Sequence, residues 1–112
     1  MTVSTAKWES KRTKESRMVE IELLNAGYQR VDAYRYNSAS LRVRIVDDRF
    51  DGVDREERDS MIECHIAKLP PDTQSDIVNL VLITPSELSE PSETFREFML
   101  NTEFDNPSPS LM

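Results

Sequence analysis

Hydrophobic and polar positions divide this chain into a short series of helical and extended patterns. Over residues 11–26, Met18, Val19, Ile21, Leu23 and Leu24 supply apolar surface among good helix formers with no proline. Gly27 then offers a C-terminal cap, so a first helix is predicted there. Residues 30–36 and 41–47 flank the polar tetrapeptide Asn37-Ser38-Ala39-Ser40, which predicts a hairpin of two strands. With Tyr36 opposite Leu41, the side chains of Tyr34, Tyr36, Leu41, Val43 and Ile45 share a face assigned to the core. Arg35, Arg42 and Arg44 share the other, and Arg35 and Arg42 stand directly opposite one another. Like charges across a strand pair are mildly unfavourable. That face is therefore either solvated, the commoner arrangement, or a surface that holds something anionic.

The nine residues FDGVDREER, Phe50 to Arg58, combine a strand exit, a glycine turn and a capped helix start. Asp54 can accept from the free N–H groups of a first helical turn, and Glu57 can reach back to the cap, which is a capping box. Gly52 lies where the chain must turn sharply, and a positive φ is expected there. A second helix follows over 53–68 and stops at Pro70 and Pro71, with a helical turn over 72–75. The run IVNLVLI, residues 77–83, is almost continuously apolar and β-branched, so it is read as the most buried strand, covered on at least part of both faces. Thr84-Pro85-Ser86-Glu87 starts a third helix that is interrupted near Pro91 and resumes through Phe95, Phe98 and Met99.

The order helix, strand, strand, helix, strand, helix describes an α+β domain, a three-stranded sheet with helices packed on one face. Residues 11–104 form the domain. Residues 1–10 are expected to be a mobile tail in which Trp8 is the residue able to dock, and residues 105–112 a disordered one.

The net charge of −7 is unevenly spread: residues 1–46 carry nine Lys/Arg against five Asp/Glu, and residues 47–112 five against sixteen. The acidic second half repels phosphate backbones. Any nucleic-acid surface is thus confined to the first half, to Arg35, Arg42 and Arg44 with the basic residues Lys7, Lys11, Arg12, Lys14 and Arg17. No window is long and apolar enough for a bilayer, no leader pattern opens the chain, and the lone Cys64 cannot form an internal disulfide. A cytoplasmic protein is expected.

Catalytic chemistry finds little support. The one histidine, His65, sits on a helix that also supplies packing, with no nucleophile and base in evident relation and no glycine-rich phosphate loop. Cys64 and His65 are adjacent on that helix and project about 100° apart. With no second Cys or His they do not make a metal site. Asp47, Asp48 and Asp51 lack a calcium-loop pattern and read as a solvated turn. No enzyme activity, metal or cofactor is expected.

Three features in order resemble the BolA family, whose fold is related to class II KH domains, over roughly residues 15–88. They are a strand ending in aspartates followed by Phe50-x-Gly52, Arg58 on the next helix, and a last strand closing with Thr84-Pro85-x-Glu87. The resemblance implies a non-catalytic regulatory or adaptor protein, of the kind found in stress responses, that binds a protein partner such as a monothiol glutaredoxin. It places partner contacts at Phe50, Gly52, Arg58 and Asp59. It also shows departures. The family's cluster-ligating histidine is here Asp59, the loop 37–40 contains neither Cys nor His, and the closing aromatic is Leu88. A carboxylate is a poor ligand where thiolate and imidazole are preferred, so partner binding without a shared iron–sulfur cluster is expected. The KH-like frame also suggests nucleic-acid binding as an alternative function, but no GXXG loop is present.

Overall fold

Local sequence signals fix the element boundaries in the computed structural model, which describes residues 7–89, 102–104 and 107. Thr13 and Ser16 each accept the other's backbone N–H in a capping box, and α1 (Lys14–Asn25) therefore begins later than its apolar pattern suggests. Gly27, at φ +98°, ends it. There follow β1 (Arg30–Asn37), β2 (Ser40–Val46), a 3-10 turn (Asp48–Phe50), α2 (Arg55–Ile66), α3 (Pro71–Asp76), β3 (Ile77–Ile83) and α4 (Pro85–Ser89). The fold is α+β with a mixed sheet ordered β1-β2-β3. β1 and β2 pair antiparallel, whereas β2 and β3 pair parallel across the α2–α3 connection.

The hairpin register differs from the expected one. Asn37 Oδ1 accepts from the Ala39 N–H at 2.9 Å and pairs Asn37 with Ser40, which in a regular ladder would set Tyr36 opposite Leu41. A bulge at Tyr36 makes Arg35 the partner of Leu41 and Tyr34 the partner of Arg42. One residue of slip sends the β1 side chains to the opposite faces. Val31 and Ala33, not Tyr34 and Tyr36, thus join Leu41, Val43 and Ile45 beneath the helices, where Val19, Leu23, Phe50 and Ile62 complete the core. Arg35 leaves the arginine face and pairs with Glu15 and Asp76 at 3.4 and 3.1 Å.

β3 has the expected limits but not the expected burial. The sheet order makes β2 the central strand and leaves β3 at an edge, with Val78 55% exposed. The second sheet face is also covered. Residues Lys7–Lys11, of which all but Lys11 are assigned from sequence to a mobile tail, form a 3-10 helix that buries Trp8 against Tyr34 and Phe104. Those three rings lie at centroid separations of 5.1–6.4 Å. Leu88 of α4 packs beside them on Val46, Val81 and Ile83. The expected tail residues 1–6, the helix from Pro91 through Phe95, Phe98 and Met99, and most of the 105–112 tail lie outside the described residues.

Candidate functional site

Arg58 is brought into place by the turn before it. Gly52 takes φ +74°, and Asp54 Oδ1 then accepts from the Glu57 N–H at 2.9 Å, which starts α2. Among the described residues Glu57 makes no return bond, so only half of the anticipated capping box exists. The Arg58 guanidinium donates from Nε to the Val53 carbonyl at 2.8 Å and from Nη1 to the Leu82 carbonyl at 2.9 Å. It also holds Glu87 with two bonds, Nη1–Oε1 at 2.7 Å and Nη2–Oε2 at 3.2 Å. Glu87 in turn forms a complete capping box with Thr84, accepting from its N–H at 2.9 Å. The hydrogen bonds from Arg58, helped by the Thr84 N–H and opposed by burial, hold the Glu87 carboxyl below its ordinary range. Two segments far apart in the chain, residues 53–58 and 82–87, are thereby tied at one point.

The four residues named as partner contacts therefore differ in access. Phe50 is fully buried, stacked on Tyr28 at 5.8 Å, and Arg58 is largely enclosed by its own bonds. Gly52 and Asp59 face solvent. The carboxylates nearest Arg58 in the chain and at the strand exit, Asp54, Asp47 and Asp48, do not pair with it. The partner is instead Glu87, which had been noted only as a helix cap.

The arginine face is occupied by the protein's own acids. Arg44, 1% exposed, donates from Nε and Nη2 to Asp32 Oδ2 at 3.1 and 2.8 Å, with its guanidinium over the Phe104 ring. Arg42 donates to the Tyr34 hydroxyl at 3.1 Å and to Glu103 at 2.6 Å and lies over the Tyr36 ring. Burial raises the Tyr34 phenol above its ordinary pKa, against the hydrogen bond from Arg42. Arg35 and Arg42 do not oppose each other, and each of the three arginines has carboxylate partners.

On the far side of the sheet, the edge of β3 and the flank of α2 enclose a groove of about 790 Å³. All seven β3 residues line it, from both faces of the strand, so it opens onto the strand's edge. The Asp47 N–H donates to the Ile83 carbonyl at 3.0 Å, which turns Ile83 toward β2. Alternation then directs the backbone of Leu80 and Leu82 outward, consistent with Arg58 capping the Leu82 carbonyl. Ile66 and Leu80 supply part-exposed apolar surface, Ile62 and Leu82 being buried in the lining, and Arg55, Asp59 and Glu63, each one helical turn from the next, supply charge of both signs. No family model, curated protein or solved structure matches the chain.

The remaining chemical groups serve the fold. Asp47 accepts from the Gln29 and Arg49 N–H groups at 2.8 and 2.7 Å, leaving exposed Asp48 and Asp51 as turn residues. Cys64 is exposed, while the neighbouring His65 packs edge-on against Tyr28 at 6.0 Å. No group of three His, Cys, Asp or Glu among the described residues could hold a metal ion. Nor is any described helix long and apolar enough to cross a membrane.

Proposed function

We propose that this chain is a non-catalytic, BolA-like adaptor of the cytoplasm that binds a protein partner along the groove between α2 and β3, without sharing an iron–sulfur cluster. The observation that carries the reading is the open β3 edge. Among the described residues its outward backbone groups at Leu80 have no partner, and a sheet edge beside a helix can take up an extended segment as an additional strand. Proximity supports the BolA resemblance: Val53, next after the Phe50–Gly52 turn, Arg58 and the Thr84–Glu87 cap meet in one hydrogen-bonded junction beside Leu82 of the groove. The arginine face favours the nucleic-acid alternative little, because internal ion pairs take up its cations.

Affinity capture from native lysate, scoring monothiol glutaredoxin and nucleic acid separately, tests the reading against Leu80→Pro. Proline is tolerated on an edge strand where the missing N–H faces outward. A stoichiometric protein partner held by the wild type and lost by a variant that still melts cooperatively is the expected result. Retention by Leu80→Pro refutes the groove as the binding site. Mixing with glutaredoxin under cluster-reconstitution conditions should leave the protein colourless, and visible absorption that depends on Asp59 would overturn the cluster-free assignment.

A further inference from the structure

Resting on that adaptor reading, the chemistry of the groove specifies the partner segment. The two sheet edges differ in how they are closed. At β1, the Ala33 N–H is taken by Glu20 of α1 at 3.0 Å, and Glu20 is itself held by Arg12 at 3.1 Å. At β3, among the described residues, Arg58 covers only the Leu82 carbonyl, leaving the Leu80 N–H, the Leu80 carbonyl and the Leu82 N–H directed into the groove. The ladder also slips at Val78, so the regular part of the edge is short.

Asp59 and Glu63 stand on the helical wall above this edge, one and two turns beyond Arg55; both are exposed, and among the described residues neither forms an ion pair. On a helix, residues four apart are separated by about 6 Å. On an added strand, residues two apart face the same side at about 6.7 Å. We infer that the groove binds an extended segment with Lys or Arg at alternate positions and apolar residues between them. The basic side chains meet Asp59 and Glu63, with their stems over Ile66. The intervening residues turn to the opposite sheet face, beside Val81 and Ile83. A second copy of this chain is a poorer occupant. Twofold pairing of β3 edges brings together two molecules that each carry a net charge of −7.

The probe is a capped peptide, Thr-Val-Lys-Val-Lys-Val-Thr, titrated into the isotope-labelled full chain, with a Glu-for-Lys peptide and single-stranded oligothymidine as comparisons. The Lys peptide should shift the amides of Leu80 and Leu82, slow their hydrogen exchange, and bind more weakly as salt rises. In the double variant Asp59→Lys, Glu63→Lys its affinity should fall about tenfold or more while the melting midpoint holds, and the Glu peptide should then bind. Several results overturn the inference. They are equal binding of the Lys peptide by wild type and double variant, equal binding of both peptides by wild type, oligothymidine shifting the same amides, or a concentration-dependent dimer that already protects Leu80. If the Lys peptide fails while Leu80→Pro still loses the lysate partner, the groove remains the binding site and only the basic specificity is wrong.

Discussion

The arginine-bearing face of the sheet and the β3 edge reverse what their residue types suggest. Charged residues in a strand suggest solvent or a ligand, yet Arg42 and Arg44 are enclosed by Asp32, Glu103, Tyr36 and Phe104. An unbroken apolar run suggests a core strand, yet β3 borders a groove. A charge becomes structural once the chain supplies its counter-charge at short range and aromatic cover over it. An apolar strand stays open when the sheet order leaves it no neighbour. Residue type sets the preference for water, and topology decides whether that preference is met.

The largest expected effect breaks the first half of that contrast. Arg44→Gln leaves Asp32 buried with its principal cation gone, and should cost about 3–5 kcal/mol in chemical denaturation. Replacing the pair together, Arg44→Met with Asp32→Leu, should recover much of that loss. If Arg44→Gln is as stable as the wild type, the face is a solvated surface. The triple change of Arg35, Arg42 and Arg44 to Gln is consequently a poor test of nucleic-acid binding, since it removes internal ion pairs as well as a positive surface.

Arg58→Ala comes next, with a loss of about 2–3 kcal/mol, because the Leu82 and Val53 carbonyls and Glu87 lose their donor together. Acid should act through the same pair. The Glu87 carboxyl is held low when folded, so its contribution is complete above the unfolded carboxylate value of about 4.3 and is lost as pH falls through the lower folded value. The stability gap between wild type and Glu87→Gln should therefore be constant near neutrality and close in acid. A gap that widens in acid would show that the pair is not what holds α4.

Much of the frame could be read from local signals. Gly27, Gly52, Asp54 and the Thr84 cap act within a few residues of themselves, and the limits of β3 were correct to the residue. The bulge at Tyr36 could not be read. The Asn37 turn favours the regular register, and only packing of small Val31 and Ala33 beneath α1 selects the slipped one. Glu87 was legible as a cap but not as the partner of Arg58, because that pair joins residues 29 apart in sequence. The groove was hidden for the same reason: Asp59 and Glu63 show their helical spacing, but nothing local to IVNLVLI says which neighbour it lacks.

Gly52→Val probes the glycine turn that leads into the groove wall. Nothing lies within 4 Å of the added Cβ, so the roughly 1–3 kcal/mol expected is the conformational cost of φ +74° alone, and Gly52→Asn should relieve most of it. The smallest effect belongs to the open region. Asp59→Lys should change the thermal midpoint by no more than about 0.5 kcal/mol corresponds to, in either direction. A large loss would mean that Asp59 is bound within the fold and that the groove wall is less accessible than its exposure indicates.

The parallel pairing of β3 also orders events in time. β1 and β2 meet across a tight turn, whereas β3 reaches β2 only after α2 and α3 have been laid down, and Arg58 finds Glu87 only once β3 has docked. Contacts of short sequence separation form at the least loop-closure cost, so the hairpin with α1 is expected to supply the folding nucleus and the β3 junction to close after the barrier. Arg58→Ala should then accelerate unfolding and leave the refolding rate almost unchanged, as read from the two limbs of a chevron. The junction that bounds the groove thus works as a latch on the exit from the native state, and the lifetime of the folded protein depends on it more than the speed of folding does.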